Sequence, residues 1–168
     1  MMPCAQVGAE DQSRPGVPSR WAYIIGVYLP RVLQIGAIDF RAEFANNHQP
    51  TVPDFWYNHS LYTQGYTYKG RVIGHHMGTD SRDLFLESSF RLPGDKGKVS
   101  IHYDREEHNL SGDAGEKKDE VGGEARRRFG RGLEAAVTYR YARLENEGNI
   151  PGRQEDMTRA DPRIYWRF

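Results

Sequence analysis

Cysteine is almost absent from this sequence, since Cys4 is the only one among 168 residues. An internal disulfide and a cysteine-based metal site are therefore excluded. The 23 basic and 23 acidic residues cancel, so no bulk charge favours nucleic acid or an anionic membrane surface as a partner. Runs of 18 apolar residues are also absent, which excludes a transmembrane helix.

Motifs for catalysis and nucleotide binding are absent as well. No G-x-S-x-G nucleophile elbow occurs. The stretch from Gly65 to Gly70 lacks the glycine spacing of a phosphate-binding loop. The residues that could serve a hydrolase have ordinary strand or loop surroundings; they are Ser88, Ser89, Ser100, His102, Asp104 and Ser111. The sequence therefore predicts no catalytic residue and no cofactor.

What the chain has instead is the composition of a β-protein. Aromatic residues make up 12% of it, with ten tyrosines, and glycine occurs 18 times. The mean hydropathy of −0.78 resembles that of a soluble protein. A transmembrane barrel has a similar average, because its strands expose apolar side chains only at alternate positions and its interior is polar.

Apolar residues recur with a period of two along much of the chain. From Lys98 to His108, the apolar residues Val99, Ile101 and Tyr103 alternate with polar ones. Such alternation predicts half-buried strands with one apolar and one polar face. Seven strands are predicted in this way, at 20–29, 34–45, 82–92, 98–108, 119–130, 133–144 and 163–168.

The connections between these strands alternate in length. The short turns are 30–33, 93–97 and 130–132, and the long polar loops are 109–118 and 145–162. Outer-membrane barrels have short periplasmic turns and long external loops, which favours such a barrel with a periplasmic C-terminus. In this arrangement residues 46–81 cross the membrane zero times or twice, as a large external loop or as a hairpin.

Three stretches resemble a known family. GYTYKGRVIGHHMGTD at 65–80, IDFRAEFAN at 38–46 and the lead-in FWYNHSLYTQGYTYKG at 55–70 are similar to the C-terminal part of Wzi-type capsule assembly proteins. The resemblance is specific from about Trp21 to Arg105 and weaker afterwards, until the terminal aromatic strand. It implies an all-β fold, the C-terminal segment of an antiparallel transmembrane β-barrel with about seven to nine strands and an incomplete wall.

The same resemblance implies where the protein works and with what. It implies a non-enzymatic protein of a Gram-negative outer membrane that anchors or organises capsular polysaccharide or exopolysaccharide in a lectin-like way. Outer-membrane lipid and the barrel assembly machinery are further expected partners, and nucleic acid is not. The alternation of Ile164, Trp166 and Phe168 at the C-terminus resembles the assembly signal of outer-membrane barrels.

The N-terminal residues do not fit an exported protein. Residues 1–19 lack the charged and apolar regions of a secretory signal. Because the family needs export, we expect this stretch to be a disordered lead or the remnant of a longer segment, and residues 20–168 to form the barrel segment. An odd count of seven strands, with or without a hairpin in 46–81, also predicts that strands of the barrel are missing.

The stretch 65–80 is the candidate binding site for sugar. Aromatic faces pack against pyranose C–H surfaces, and Lys or Arg pairs with uronate carboxylates. The predicted polysaccharide-binding residues are Tyr66, Tyr68, Lys69, Arg71, His75, His76 and Asp80. The alternative is that these tyrosines belong to an interfacial girdle of aromatic residues, as favoured for Tyr23, Tyr139 and Trp166.

The adjacent histidines His75 and His76 suggest a metal site. Neighbouring residues on an extended strand point to opposite faces, so the pair cannot chelate one ion unless the loop bends. The prediction is therefore no metal site and a structural role in polar packing. Two other functions stay open, a porin-like channel if charged strand faces line a pore, and a small barrel hydrolase if a Ser and a His converge.

Overall fold

The structure is a computed structural model that describes residues 1–9, 12–14, 17–18, 20–32, 37–50, 56, 67–68, 71–72, 75–130 and 132–166. Its strands are β1 (Met2–Ala9), β2 (Gln12–Arg14), β3 (Val17–Pro18), β4 (Trp21–Leu29), β5 (Ile38–Asn46), β6 (Thr67–Tyr68), β7 (Arg71–Val72), β8 (Arg82–Arg91), β9 (Gly97–His108), β10 (Glu116–Phe129), β11 (Leu133–Glu145) and β12 (Gln154–Trp166). Two single 3-10 turns, Pro93–Asp95 and Glu147–Asn149, lie between strands.

Eight strands form one antiparallel main sheet in the order β1-β4-β5-β8-β9-β10-β11-β12. Within the described ranges β1 and β12 are not paired with each other, so the sheet is open, and no α-helix occurs. The predicted all-β fold, an incomplete antiparallel barrel of about seven to nine strands, is confirmed. No helix in the described part of the chain is both long and apolar enough to cross a membrane.

The eighth strand lies where the sequence predicted a disordered lead or a remnant of a longer segment. β1 is paired with β4 over its whole length, from Met2 opposite Tyr28 to Ala9 opposite Trp21. Its side chains are mostly exposed and show no alternation of burial, so there was no periodic pattern to read. The strand depends on backbone pairing with a neighbour that is distant from it in sequence. With eight strands in the main sheet, the count is even, and the argument from an odd number no longer holds.

The predicted loop 145–162 is mostly strand. β12 begins at Gln154 and pairs with β11 from Gln154 opposite Glu145 to Trp166 opposite Leu133. The charged residues of β12 and its proline, Pro162, conceal the strand in the sequence. A proline is tolerated there because β12 is an edge strand, on which a missing backbone donor need not break a ladder on both sides.

The two faces of the main sheet differ in chemistry. One, which we call the outer face, carries an apolar band; its members include Ile25, Val27, Phe40, Phe44, Leu84, Leu86, Val99, Ile101, Val121, Val137, Tyr139 and Ile164. Many of these side chains are exposed, with Ile101 at 64% and Ile164 at 76%. An apolar surface of this extent is unusual for a monomeric protein in water.

The opposite face, the inner face, is charged and internally paired. Arg91 Nη2 donates to both oxygens of Asp39, at 2.8 and 2.7 Å. Lys118 Nζ lies 2.7 Å from a Glu106 oxygen. Further ion pairs join Glu87 to Lys98, Glu120 to Lys118, and Glu134 to Arg126 and Arg128. The charges are compensated side by side, which lowers the cost of burying them.

The connections between strands lie at two opposite ends of the sheet, and their lengths overlap, since 30–37 at one end is as long as 146–153 at the other. The end that we call the loop end carries the connections 10–20, 47–81, 109–115 and 146–153. The turn end carries 30–37, 92–96 and 130–132. At the tightest of these, Gly130 has a positive φ of 64°, a conformation that costs glycine little.

The segment 47–81 starts and ends at the loop end, because β5 and β8 are direct antiparallel neighbours. Its only described strands, β6 and β7, pair with each other through two residues each and do not join the main sheet. We call residues 47–81 the large loop; most of them lie outside the described residues, so the predicted alternatives of a loop and a membrane-crossing hairpin both stay predictions.

Candidate functional site

The two ends of the large loop are joined by buried hydrogen bonds. The amide group of Asn47 donates to Gly78 O at 2.5 Å, and its oxygen accepts from Ser81 N at 2.8 Å. Asn47 N also donates to Ser81 O at 3.1 Å. Asn47 and Ser81 are almost completely buried. We call this group, together with His48, Asp80 and Ser111, the loop latch.

Asp80 is the centre of the loop latch. It accepts hydrogen bonds from His48 Nδ1 at 2.6 Å, from Ser111 N at 2.8 Å and from Ser111 Oγ at 3.2 Å. Burial raises the pKa of Asp80, but the hydrogen bonds from His48 and Ser111 outweigh it, so the pKa lies below its usual value. The side chain therefore stays ionised and ties the loop 109–115 to the large loop.

This geometry differs from the predicted role of Asp80 as a sugar contact. Asp80 is only 2% exposed, and both carboxylate oxygens already accept hydrogen bonds from within the protein. Its φ of 47° lies in the left-handed region, which Asp tolerates better than most residues. Asp80 thus stabilises the loop end as a buried hydrogen-bond acceptor, and a polymer at the surface would not contact it.

His75 and His76 lie side by side, which differs from the expected opposite orientation. The chain turns at His76 and Met77, so the two rings are 4.4 Å apart between centroids and face the same carboxylate. The Nε2 atom of His76 lies 3.1 Å from Asp83 Oδ2, and that of His75 lies 3.8 Å from it. The bend that the sequence could not show brings both imidazoles to one side.

The two histidines have opposite pKa shifts. The hydrogen bond with Asp83 raises the pKa of His76, and the attraction of nearby carboxylates adds to it. Burial lowers the pKa of His75, and repulsion from His76 lowers it further. A single proton shared by this pair would therefore reside on His76.

Another histidine, His108, contacts both a buried serine and a glutamate. His108 Nδ1 lies 3.1 Å from Ser81 Oγ, and His108 Nε2 lies 3.2 Å from Glu106 Oε2. Ser81 Oγ donates to Thr79 O at 2.5 Å, and His108 Nδ1 lies 2.9 Å from Met77 O. A carbonyl only accepts, so Nδ1 carries the proton that it donates to Met77 O and cannot take one from Ser81.

Four of the seven predicted sugar-binding residues have no described side chain. Tyr66 and Lys69 lie outside the described residues. Tyr68 and Arg71 stand opposite each other in the backbone pairing of β6 with β7. β6 and β7 thus contain four residues of the GYTYKGRV stretch, and Lys69 and Gly70 between them lie outside the described residues.

Apart from Asp80, the residues of the loop latch were missed by sequence reasoning. His48 and Asn47 follow directly after β5, and Ser111 follows β9, so all lie where a strand enters the loop end. The sequence signal that could have found them is the presence of polar residues directly after a strand. This signal is not specific, because polar residues also follow other strands. Which of them meet depends on the pairing of β5, β8 and β9, which brings together residues more than 30 positions apart.

A basic cavity of about 410 Å³ lies on the inner face near the turn end, lined in part by Arg91, Lys98, Arg126 and Arg128. It includes two of the three residues of the Arg126–Arg128 run. Each of these cations is paired with a carboxylate of the same face, namely Asp39, Glu87, Glu124 or Glu134. The cavity is therefore close to neutral and offers little net attraction to an acidic polymer.

A comparison with protein families gives a match to capsule assembly protein Wzi over residues 5–159. The match covers most of the chain and extends beyond the stretch 21–105 on which the sequence resemblance was most specific. Comparisons with curated proteins and with solved structures give no significant match. The matched range begins within β1 and ends within β12, so it includes the other six strands of the main sheet completely, together with the loop latch and the histidine pair. The chain therefore belongs to the Wzi family of capsule assembly proteins.

Proposed function

We propose that this chain forms part of the wall of a Gram-negative outer-membrane barrel and retains capsular polysaccharide or exopolysaccharide at its loop end. Retention is lectin-like and non-enzymatic, through weak contacts repeated along the polymer. Family membership supports the role in capsule assembly. The observation that supports the membrane setting is the division of the main sheet into an apolar outer face and an ion-paired inner face.

The apolar band fits acyl chains better than water. At Val137 in the middle of β11, nearly half of the side-chain surface is exposed, and its neighbours across the ladder are Ala125 and Pro162. Most charged residues of the outer face lie further towards the loop end, among them Arg105, Asp119, Arg143 and Asp156, whereas Arg127 lies near the turn end in the row of Ile164. An apolar belt with a charged row beyond it is the pattern of a barrel wall that crosses a bilayer.

The loops at the loop end are joined to one another by hydrogen bonds, and this order supports polymer binding there. Asn109 Nδ2 donates to Asn149 Oδ1 at 3.0 Å, and Asn146 Nδ2 donates to Gly115 O at 3.0 Å. With the loop latch, these bonds connect the large loop to both loops that follow it. Pre-ordered loops lose less conformational entropy when a ligand binds, which matters where each contact is weak.

The sugar contacts in this proposal are the aromatic and cationic residues Tyr66, Tyr68, Lys69 and Arg71, together with the exposed His76 later in the same segment. Arg and Lys would pair with uronate carboxylates, and the tyrosines would pack against the sugar rings. His75 and Asp80 support the loop from beneath.

The test is binding of the detergent-purified chain to an acidic capsular polysaccharide, with a neutral polysaccharide beside it. Replacing Lys69 and Arg71 together by Gln should weaken binding to the acidic polymer by about tenfold or more, because two charge-assisted hydrogen bonds are lost. The same change should have little effect on any binding to the neutral polymer.

The matched control places the same loss of charge elsewhere at the loop end. Replacing Lys117 and Arg153 together by Gln removes two cations from the end of β10 and the loop before β12. Equal weakening by both double variants would reveal a general charge effect and contradict a site at Lys69 and Arg71. An unchanged affinity of the Lys69 and Arg71 variant would contradict it as well.

A hydrolase is the second candidate, because a serine and a histidine do converge near the loop end. Ser81 is 0% exposed, however, and its hydroxyl proton is directed to Thr79 O. A nucleophile must reach its substrate and pass its proton to a base. Ester hydrolysis that disappears in Ser81→Ala would favour the hydrolase, and its absence in both proteins fits the binding role. No observation favours the porin-like channel, since the described sheet is open.

A further inference from the structure

Charge compensation on the inner face is incomplete at one place. Four buried carboxylates have a Lys or Arg nitrogen within 3.3 Å; they are Asp39, Glu106, Glu120 and Glu134. Asp83, which is 4% exposed, differs from these. Among the described residues its ion-pair partners are His75 and His76, which are cations only when protonated.

Two oxygens at this place are buried without a hydrogen-bond partner. They are Oδ1 of Asp83 and Oδ1 of Asp104, in the part of the chain that the structure describes. Asp104 also lies within hydrogen-bonding reach of Asp83, across the pairing of β8 with β9. Two buried carboxylates this close repel each other unless a proton or a cation lies between them.

Two groups of donor atoms, which have His76 in common, are each compact enough to hold one ion. His75, His76 and Asp83 each offer an atom within 4.8 Å of the other two, and so do His76, Asp104 and Glu106. In a tetrahedral zinc site the ligand atoms are roughly 3.3–3.5 Å apart. Small side-chain rotations close that difference, since the His76 ring is exposed and able to move.

We propose that His75, His76, Asp83 and Asp104 bind a divalent transition-metal ion, with zinc as the expected occupant. Two imidazole nitrogens and two carboxylate oxygens are a ligand set that zinc accepts and that calcium and magnesium, which prefer oxygen ligands alone, do not favour. The orphaned oxygens of Asp83 and Asp104 would each gain the partner that they lack.

The surrounding residues suit such an ion. Both oxygens of Glu106 are occupied, one by Lys118 at 2.7 Å and one by His108 at 3.2 Å, so Glu106 stands behind the ligands and adds negative charge. Met77 N lies 3.5 Å from His75 Nδ1, at the limit of a hydrogen bond. When His75 Nε2 binds the ion, the proton on Nε2 moves to Nδ1. Nδ1 can then no longer accept a hydrogen bond from Met77 N, so this long contact is lost.

The ion would have a structural role. It would join residues 75–76 of the large loop to β8 through Asp83 and to β9 through Asp104. The loop latch holds the same segment five residues further on, at Asp80. The segment that carries the proposed sugar-binding residues would then be held at two points, by metal ligands at residues 75–76 and by hydrogen bonds at Asp80.

The test is metal binding by the whole chain, purified in detergent, freed of metal with a chelator and dialysed. Titration with Zn²⁺ should give one tightly bound ion per chain, and Co²⁺ in its place should give visible absorption bands of a low-symmetry site. His76→Gln should weaken Zn²⁺ binding by more than about tenfold, since loss of a direct ligand exceeds the usual effect of an outer-shell change. Asp83→Asn should do the same.

His102→Ala is the matched control, because it removes another inner-face histidine with a carboxylate partner, Glu120 at 3.3 Å. Glu120 also has Lys118 beside it, so this pair needs no metal. The proposal is overturned if no stoichiometric Zn²⁺ binds, or if all three variants bind it as the parent does. Should Asp83→Asn not fold by heat-modifiable gel mobility, His76→Gln decides alone, since its side chain is 58% exposed and its loss leaves the fold intact.

Discussion

The two faces of the main sheet are built by the same strands and follow opposite rules. On β11, Val137 points to the outer face and is exposed among apolar neighbours, whereas the adjacent Thr138 points to the inner face opposite Glu124. A soluble protein would place the apolar side inwards and cover it. Here the charged side holds the dense contacts, and this inversion is expected when the apolar face has lipid as its solvent.

The comparison also shows what holds the inner face together. Most of its buried carboxylates are matched by Arg and Lys on neighbouring strands, so pairing register and charge pairing support each other. Among the described residues, the ion pairs of the outer face lie towards the loop end; one of them joins Arg143 to Asp156 at 3.1 Å, and both of these side chains are exposed. Two experiments test this contrast and a third tests the loop latch, from the largest expected effect to the smallest.

The largest effect should come from a charge on the apolar band. Val137→Lys should lower the free energy of folding into a bilayer by about 2–4 kcal/mol, the cost of a lysine facing lipid near mid-depth. The measurement is folding into lipid vesicles in a urea titration. Thr138→Lys, one residue away on the inner face beside Glu124, is the control and should cost much less. Equal costs at both positions would mean that Val137 does not face lipid.

A smaller effect is expected from a buried inner-face pair. Asp39→Ala removes the acceptor of Arg91 and of Arg31 N, the latter at 3.0 Å. Because Arg91 keeps partial access to solvent, we expect a loss of about 1–3 kcal/mol of unfolding free energy. Asp156→Ala, which breaks the exposed outer pair with Arg143, should change it little. A reversed order, measured in the same denaturant titration, would contradict the assignment of the faces.

The smallest effect concerns the loop latch and depends on pH. The pKa of Asp80 is lower in the folded chain than in the unfolded one, so its ionised form stabilises the latch above the unfolded value of about 3.9. That contribution is lost as the pH falls through the folded value. The amide of Ser111 donates to Asp80, and its hydrogen exchange, corrected for the intrinsic rate, should accelerate about tenfold below that range.

Asp80→Asn provides the reference for the acid effect. The variant should show faster exchange of the Ser111 amide already at neutral pH and little further change on acidification. Asp113→Asn, in the same 109–115 loop, should behave as the parent protein does. If the Asp80 variant keeps the full acid dependence, another group controls the latch.

Most of the main sheet could be predicted from the sequence, because alternation has a direct physical cause. All seven predicted strands are found, and Lys98–His108 differs from β9 by one residue at its start. β1 could not be predicted, since its side chains are mostly exposed and carry no pattern. β12 was predicted too short, since an edge strand accepts the charged residues and the proline that mark a loop elsewhere.

The candidate site was predictable only in part. The stretch 65–80 was singled out by its composition and by the family resemblance, and the family match covers it, while its role in sugar binding stays a prediction. Individual roles were not predictable. From the sequence, His75 and His76 would point to opposite sides unless the chain bends between them, and the structure has such a turn, which places both against Asp83. Asp80 reads as an exposed ligand for sugar and is a buried acceptor.

The amino-acid sequence by itself determined the β class, the two-faced strands and the family. Each of these follows from local periodicity or from residues in fixed order, which need no knowledge of distant contacts. Only the tertiary structure decided which polar residues meet, such as His48 with Asp80 and Asp83 with Asp104. Those contacts depend on strand register and on backbone bends, because a shift of one residue in the pairing of two strands would move each side chain to the other face of the sheet.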